Sequence, residues 1–405
     1  MQRINLLYVI TKLELGGAQK QLLSLIRHLD KKRFRLFLFT AKDGLLLCET
    51  LSINGLIVKK SRWLERPINP LKDLLALIET YRFIKKNNIE IVHTHSSKAG
   101  ILGRLAARLA KVEVIIHTVH GWSFNDYQPR VERLFFIWLE RLSARFSDKL
   151  VVVSYYDRQK GLDNHIGKEN KYSLIRYGVD YAEFNIKDQN IREELGINPN
   201  DLAVGMIACF KPQKSPRDFI RLAFLTKRIL PDARFLLVGD GALRKKIEKL
   251  IHKFNLEKQI ILTGWRRDIP RILSAIDVFV LTSLWEGLPI SVLEAMATSK
   301  PVITTHTGGV AEIIIEGKSG FLVPPGDTNK MSEKLAILLK DKNLRTQMGQ
   351  NAKDSLDSNL TITNMIRSNE NLYEELIKAK VRNNPCITKN KKYLTKTICC
   401  DKKIV

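Results

Sequence analysis

Cysteine is scarce and poorly spaced for chemistry. There are five in 405 residues (Cys48, Cys209, Cys386, Cys399 and Cys400), with no C-x-x-C pair. This argues against a zinc site or a disulfide framework and suits a reducing, cytoplasmic compartment. No apolar run approaches the ~18 residues of a bilayer span. The opening MQRINLLYVITKLELGG is apolar only from Ile4 to Ile10 and has no small-residue cleavage site, so it predicts a first β-strand rather than a leader. The turn at Gly16 and Gly17 is followed by no G-K-[ST] and is not G-x-G-x-x-G, so it is neither a Walker nor a dinucleotide loop. No D-x-D stands at a strand end, so no metal or other cofactor is expected. Acid is short too: 67 Lys+Arg face 42 Asp+Glu, a net charge of +25. The excess lies in residues 1–183 (31 against 18) and 381–405 (7 against 1). With no helix-turn-helix, zinc finger or RNP strand, nucleic acid is not the expected partner. An anionic membrane surface fits better, since each nearby Lys or Arg adds about 1 kcal/mol there; general solubility is the plainer reading.

Short β-branched runs alternate with amphipathic stretches. Strands are predicted at 4–10, 34–40, 89–94, 113–118 and 149–154, then at 203–208, 233–238, 259–262, 276–282, 301–304 and 320–323. Helical spacing marks 18–29, 71–87, 98–110, 131–146, 215–229, 241–254 and 328–339. The expected fold is α/β, two tandem doubly wound Rossmann-like domains facing across a cleft. Their expected bounds are 1–183 and 184–360, joined near 181–187. A terminal helix (361–380) and a basic, disordered tail (381–405) follow.

In the first half, LELGGAQK places Gly16 and Gly17 at a strand-to-helix turn, where backbone can approach an anion. HTHSSKAG brings His95, Ser97 and Lys98 to a strand end, with His93 read as structural. His117 reads as a buried, satisfied histidine. His120, beside Gly121, reads as functional because it can hydrogen-bond a sugar hydroxyl or phosphate at the sheet edge. Helix 131–146 carries Phe135, Phe136 and Trp138 among arginines; a core role is preferred over membrane contact.

In the second half, Lys211 and Lys214 lie in a loop entering a helix and suit a diphosphate. Gly239 and Gly241 flank Asp240 at the next strand end. Backbone near Trp265 and Arg266 is placed to read a nucleobase. WEGLPISVLEAMATSKPVITTHTGGVAEII then offers Glu286, Gly287, Leu288, Glu294, Gly308 and Gly309. The two glutamates are roughly 12 Å apart at helical rise. That is too far for an acid/base pair on one bond, but it suits the two ends of an extended ligand.

Together with SGFLVPPGD (319–327), these motifs resemble the retaining glycosyltransferase family 4, the group 1 glycosyltransferases of GT-B fold. Within it, the amino-terminal motifs resemble bacterial capsule, exopolysaccharide and O-antigen enzymes. The resemblance covers residues 1–380. It implies a nucleotide-sugar donor, usually UDP-linked, bound mainly by the second domain. Glu294 then binds the ribose, and Glu286, Gly287 and Leu288 contact the sugar. Gly308 and Gly309 lie near sugar and phosphate, Lys214 holds the diphosphate, Gly16 and Gly17 face it, and His120 lies near the transferring sugar. His95, Ser97 and Lys98 fall on the acceptor side. Cys209 stands where the family commonly has arginine, Ser215 where it has glycine, and E-G-L-P replaces E-G-F-G. The resemblance therefore implies transfer of a sugar, with retention, to a glycan or polyprenyl-linked acceptor in the cytoplasm or at the inner membrane face. The rival readings are a sugar-nucleotide epimerase and a non-catalytic basic binding protein.

Overall fold

The computed structural model describes residues 3–186, 188 and 190–383. The first sheet contains β1 (Ile4–Val9), β2 (Phe34–Ala41), β3 (Leu56–Ser61), β4 (Ile91–His95), β5 (Val114–Val119), β6 (Lys149–Val152) and β7 (Tyr172–Leu174). The second contains β8 (Ala203–Ile207), β9 (Arg234–Val238), β10 (Ile260–Gly264), β11 (Val278–Leu281), β12 (Val302–Thr305) and β13 (Gly320–Val323). Their orders are β3-β2-β1-β4-β5-β6-β7 and β10-β9-β8-β11-β12-β13. All strand pairs within them run parallel. Central strands such as Ile91–His95, Val114–Val119 and Val278–Leu281 are buried throughout, as a sheet covered on both faces requires. This is the GT-B arrangement of two α/β domains.

Two strands escaped the periodicity reading. β3 carries Lys59 and Lys60 and sits at the sheet edge; β7 is only three residues long and forms the opposite edge. Short, charged strands are how sheets blunt their edges, and they lack an apolar signature for the same reason.

The chain passes between the sheets twice, side by side. Val179 pairs with Thr361, and Val179 N–H donates to the Leu360 carbonyl at 2.8 Å. A Cβ on Gly178 would stand 2.5 Å from Ile362 Cα, so only glycine permits this crossing. The final helix, Ile362–Asn383, then packs on the first sheet, where Met365, Leu372 and Tyr373 enter its core. The helix runs three residues past the expected Lys380; the remainder of the expected basic tail, from 384, lies outside the described residues.

Tyr373 anchors a buried polar chain. Its hydroxyl lies 3.0 Å from the Tyr8 hydroxyl and 2.7 Å from His93 Nδ1, while His93 Nε2 meets Thr118 Oγ1 at 2.7 Å. His93 is thus structural. Burial, with His120 nearby, pushes its pKa down to about 3. The unfolded chain's His93 takes up a proton below its ordinary pKa while the folded one stays neutral, so acidification favours unfolding. Relative to His93→Gln, the wild type is expected to lose about 2 kcal/mol of stability between pH 7 and pH 5. Urea unfolding of both proteins at the two pH values measures this; a pH-independent difference would contradict the buried neutral imidazole.

Candidate active site

Strand order reverses between β1 and β4 in the first sheet and between β8 and β11 in the second. At such switch points the loops after neighbouring strands diverge and open a crevice at the carboxyl edge. The two crevices face each other and form one cleft. Leu15 to Lys20, His120 and Tyr177 line it from the first domain. Cys209, Lys211, Gln213, Lys214, Gly239, Trp265, Arg266, Glu286, Leu288 and Glu294 line it from the second.

The cleft concentrates positive charge and unpaired backbone donors. The helix Gly17–His28 starts at Gly16 with no side-chain cap and no acidic residue in its first turn. Its first N–H groups therefore remain available to an anion. Burial and the neighbouring Lys214 hold the Lys211 pKa below its usual value. An arriving anion would relieve that strain. Lys214 Nζ pairs with Glu286 Oε1, which also accepts from Ser283 Oγ at 2.5 Å. The loop between these lysines and the next helix, Pro216–Lys227, turns at Ser215, with φ +40° and ψ 55°. This left-handed geometry favours glycine, the residue that the resemblance leads one to expect there. Here a serine holds it, donating from Oγ to Asp218 Oδ2 at 2.6 Å.

Glu294 projects from the helix Ile290–Ala297, is buried, and lines both the cleft and the cavity beside it. Its carboxyl takes no hydrogen bond among the described residues. Burial raises its pKa, and Lys20 opposes that rise from the first domain. A buried acceptor with open valences suits a hydroxylated ligand.

His120 reaches the cleft with both ring nitrogens occupied. Nδ1 meets the Tyr177 hydroxyl at 2.6 Å and Nε2 meets His95 Nδ1 at 2.8 Å. Burial pushes its pKa down to about 3, so the imidazole is neutral at working pH. A hydrogen bond from the ring to a sugar would require one of these partners to yield. His95 is therefore a support behind His120 rather than a cleft residue, and burial together with His93 holds its own pKa well below the usual range. Lys98, read with the acceptor side, is instead tied to Asp73 Oδ1 at 2.5 Å and to the Pro67 carbonyl. Ser97 begins the helix Ser97–Leu109 and does not line the cleft. His117 is buried and meets Thr94 Oγ1 at 2.9 Å.

The glycine pair also takes a different place from the expected one. Gly308 and Gly309 stand behind the Glu286 turn, not in the cleft. A Cβ on Gly308 would lie 2.2 Å from the Glu286 carbonyl oxygen, and Gly309 N–H is already donated to the Gly287 carbonyl at 2.6 Å. Gly241 likewise packs on Phe210 backbone, while Gly239 lines the cleft. Arg266 lines the cleft and turns its guanidinium onto Asp268 and Glu194 (both contacts under 3 Å).

Gly287 is where the domains touch. A Cβ there would stand 3.0 Å from Gly121 N and 3.1 Å from both the His120 carbonyl carbon and Asp157 Oδ2. Asp157 is buried behind this contact, and burial raises its pKa to about 7 against the Ser154 hydroxyl that bonds it. Flanking the contact, Glu312 accepts from Arg176 Nη2 at 2.8 Å and from Tyr156 N–H at 2.9 Å. On the other rim, Arg267 pairs with Glu49. Tyr177, Lys20, Asp157 and Glu312 were missed in the sequence. Tyr177 had a signal, a tyrosine directly before the glycine at the domain crossing; the others lie in ordinary helical surroundings. Among the described residues no three His, Cys, Asp or Glu side chains cluster to hold a metal ion.

Two family models match: Glycosyltransferase Family 4 over residues 15–183 and Glycosyl transferases group 1 over residues 187–355. One relative is the UDP-Gal:alpha-D-GlcNAc-diphosphoundecaprenol alpha-1,3-galactosyltransferase of Escherichia coli. It is 35% identical over 318 residues, 77% of this chain and 82% of that protein. The putative glycosyltransferase EpsD of Bacillus subtilis is 30% identical over 290 residues, 70% of this chain and 74% of that one. Among solved structures, Anabaena Alr3699/HepE in complex with UDP and glucose aligns with a TM-score of 0.80 at 20% identity, covering 92% of this chain and 100% of that one.

Replacing Gly308 tests the packed turn. Gly308→Ala combines a positive φ with a backbone clash, whereas Gly317→Ala, at φ +73° with open space around it, carries the φ cost alone. Gly308→Ala is expected to lose about 2 kcal/mol more than the control and at least tenfold in nucleotide affinity. Urea unfolding and calorimetry measure the two, and equal behaviour of the variants would contradict the packing role.

Proposed function

We propose that this chain, which belongs to the group 1 glycosyltransferases of family 4, moves a sugar from a UDP-sugar to a polyprenyl-diphosphate-linked glycan with retention at the anomeric carbon. That the chain is a glycosyltransferase follows from its family; donor, acceptor and stereochemistry are our reading. The observation that carries it is the single cleft uniting Lys211, Lys214, Glu286 and Glu294 with the uncapped Gly16–Gly17 helix start. The acceptor class is suggested by the Escherichia coli relative, whose name specifies a diphosphoundecaprenol-linked substrate.

In this reading Glu294 accepts hydrogen bonds from the ribose hydroxyls, and the backbone at Trp265 and Arg266 meets the base. The diphosphate lies between Lys211, Lys214 and the N–H groups that follow Gly16. As the bond from the anomeric carbon to the phosphate oxygen breaks, negative charge grows on that oxygen. Preorganised cations and amides stabilise it more than they stabilise the intact donor. Lys214 is oriented by Glu286, which also faces the sugar. Lys211, two residues beyond Cys209, supplies the second positive charge in place of the family's arginine. The acceptor hydroxyl attacks from the leaving-group face, and its proton passes to the departing phosphate. Neutral His120 shapes the sugar pocket and neither gains nor loses a proton in this step. No step is routed through a metal.

Purified protein is expected to release UDP from one member of a UDP-sugar panel in the presence of a lipid-linked glycan, with EDTA added. Glu294→Ala is expected to weaken UDP binding by about 100-fold, the loss of a buried carboxylate with two hydroxyl partners. Retained UDP affinity in the variant would sink the ribose assignment. Release with GDP-sugars only would overturn the donor class.

A further inference from the structure

The helix Arg130–Phe146 buries Ile137, Glu140, Ser143 and Ala144 against its own domain. Its opposite face is unusual. Val131, Leu134, Phe135 and Trp138 are 81, 62, 48 and 56% exposed. Their spacing of three and four residues puts them on one stripe. Phe135 and Trp138 stack on each other at 6.3 Å, so the stripe is a continuous apolar surface. The reading of these aromatics as core is thereby corrected for Phe135 and Trp138.

Charge surrounds the stripe. Arg130 precedes it, and Arg141 and Arg145 continue it toward the carboxyl end of the helix, all exposed. Glu132 is the exposed acid of this helix and is held by Gln128; its other acid, Glu140, is buried on Arg104 at 2.7 Å. An apolar and aromatic stripe with exposed arginines at both ends fits the boundary between lipid headgroups and acyl chains. It is also close to the cleft. Tyr127, three residues before the helix, stacks on Trp285 at 5.4 Å, and Trp285 directly precedes Glu286.

We infer that this face docks on an anionic phospholipid surface and holds the mouth of the cleft toward it. A lipid-tethered acceptor would then keep its chain in the bilayer while its sugar enters between the domains; this second part rests on the transferase reading above. The two-dimensional search replaces a three-dimensional one, so docking acts on the use of membrane-held acceptor and not on the chemical step.

The test uses the full chain and a Leu134→Ser, Phe135→Ser, Trp138→Ser triple variant, which leaves every cleft residue and the carboxyl tail in place. Both are sedimented with vesicles of phosphatidylcholine plus phosphatidylglycerol and with phosphatidylcholine alone. The wild type is expected to bind the anionic vesicles preferentially and to release from them in salt, and the variant to bind at least tenfold less. With donor and a water-soluble acceptor the variant is expected to keep its kcat; with acceptor embedded in vesicles its rate falls in parallel with binding. Unchanged vesicle binding by the variant, or equal binding of the wild type to neutral vesicles, would overturn the assignment. So would a wild-type dimer that the variant dissolves, since the face would then belong to a second copy. If no UDP is released in any arrangement while the variant still loses vesicle binding, the transferase reading fails and the docking surface stands.

Discussion

Everything in the cleft depends on two backbones being able to touch. Gly121 on the first domain and Gly287 on the second meet without intervening side chains, and Gly308 lets the turn carrying Glu286 settle against its neighbour. A methyl group at Gly287 or Gly308 would force these segments apart by tenths of an ångström or more. The cost would appear as displacement of Glu286, and with it Lys214, because the two are paired. Steric allowance at three positions thus fixes the electrostatic arrangement of Glu286 and Lys214 beside them.

That arrangement is asymmetric in a useful way. Positive charge comes from both domains, with Lys20 on one side and Lys211 and Lys214 on the other, while the carboxylates come from the second. An anion between them draws the halves together. The rims carry their own cross-domain contacts, Glu312 with Arg176 and Arg267 with Glu49. Domains that close on a ligand exclude water from the cleft between them.

The fold was legible because parallel sheets buried on both faces write themselves as apolar runs; β3 was illegible because it carries Lys59 and Lys60 on a mostly uncovered edge, and β7 because three residues are too few to show a pattern. In the site, residues recognisable by type at a strand end or helix start, such as Glu294, Lys214 and His120, were found at the cleft. Gly308 and Gly309 pack on the Glu286 turn instead of lining the cleft, which no motif reports: glycine that admits a ligand and glycine that admits another stretch of backbone look alike in sequence. Lys98 was misplaced because its partners, Asp73 and Pro67, lie on a different segment and no local pattern reports them. His95 was seen as a site residue, yet its service to His120 depends on the register of β4 against β5.

The helix Ile362–Asn383 belongs spatially to the first domain although it is made after the second. Met365, Leu372 and Tyr373 complete a core whose other members begin at Leu6. During synthesis, then, the amino-terminal half emerges with one layer missing and keeps apolar surface uncovered until the second domain has been made. Domains on a ribosome usually close in order from the amino terminus. Here the first to appear must be among the last to finish, which binds the two halves into one event of maturation and makes truncation near residue 360 a lesion of the opposite end of the protein.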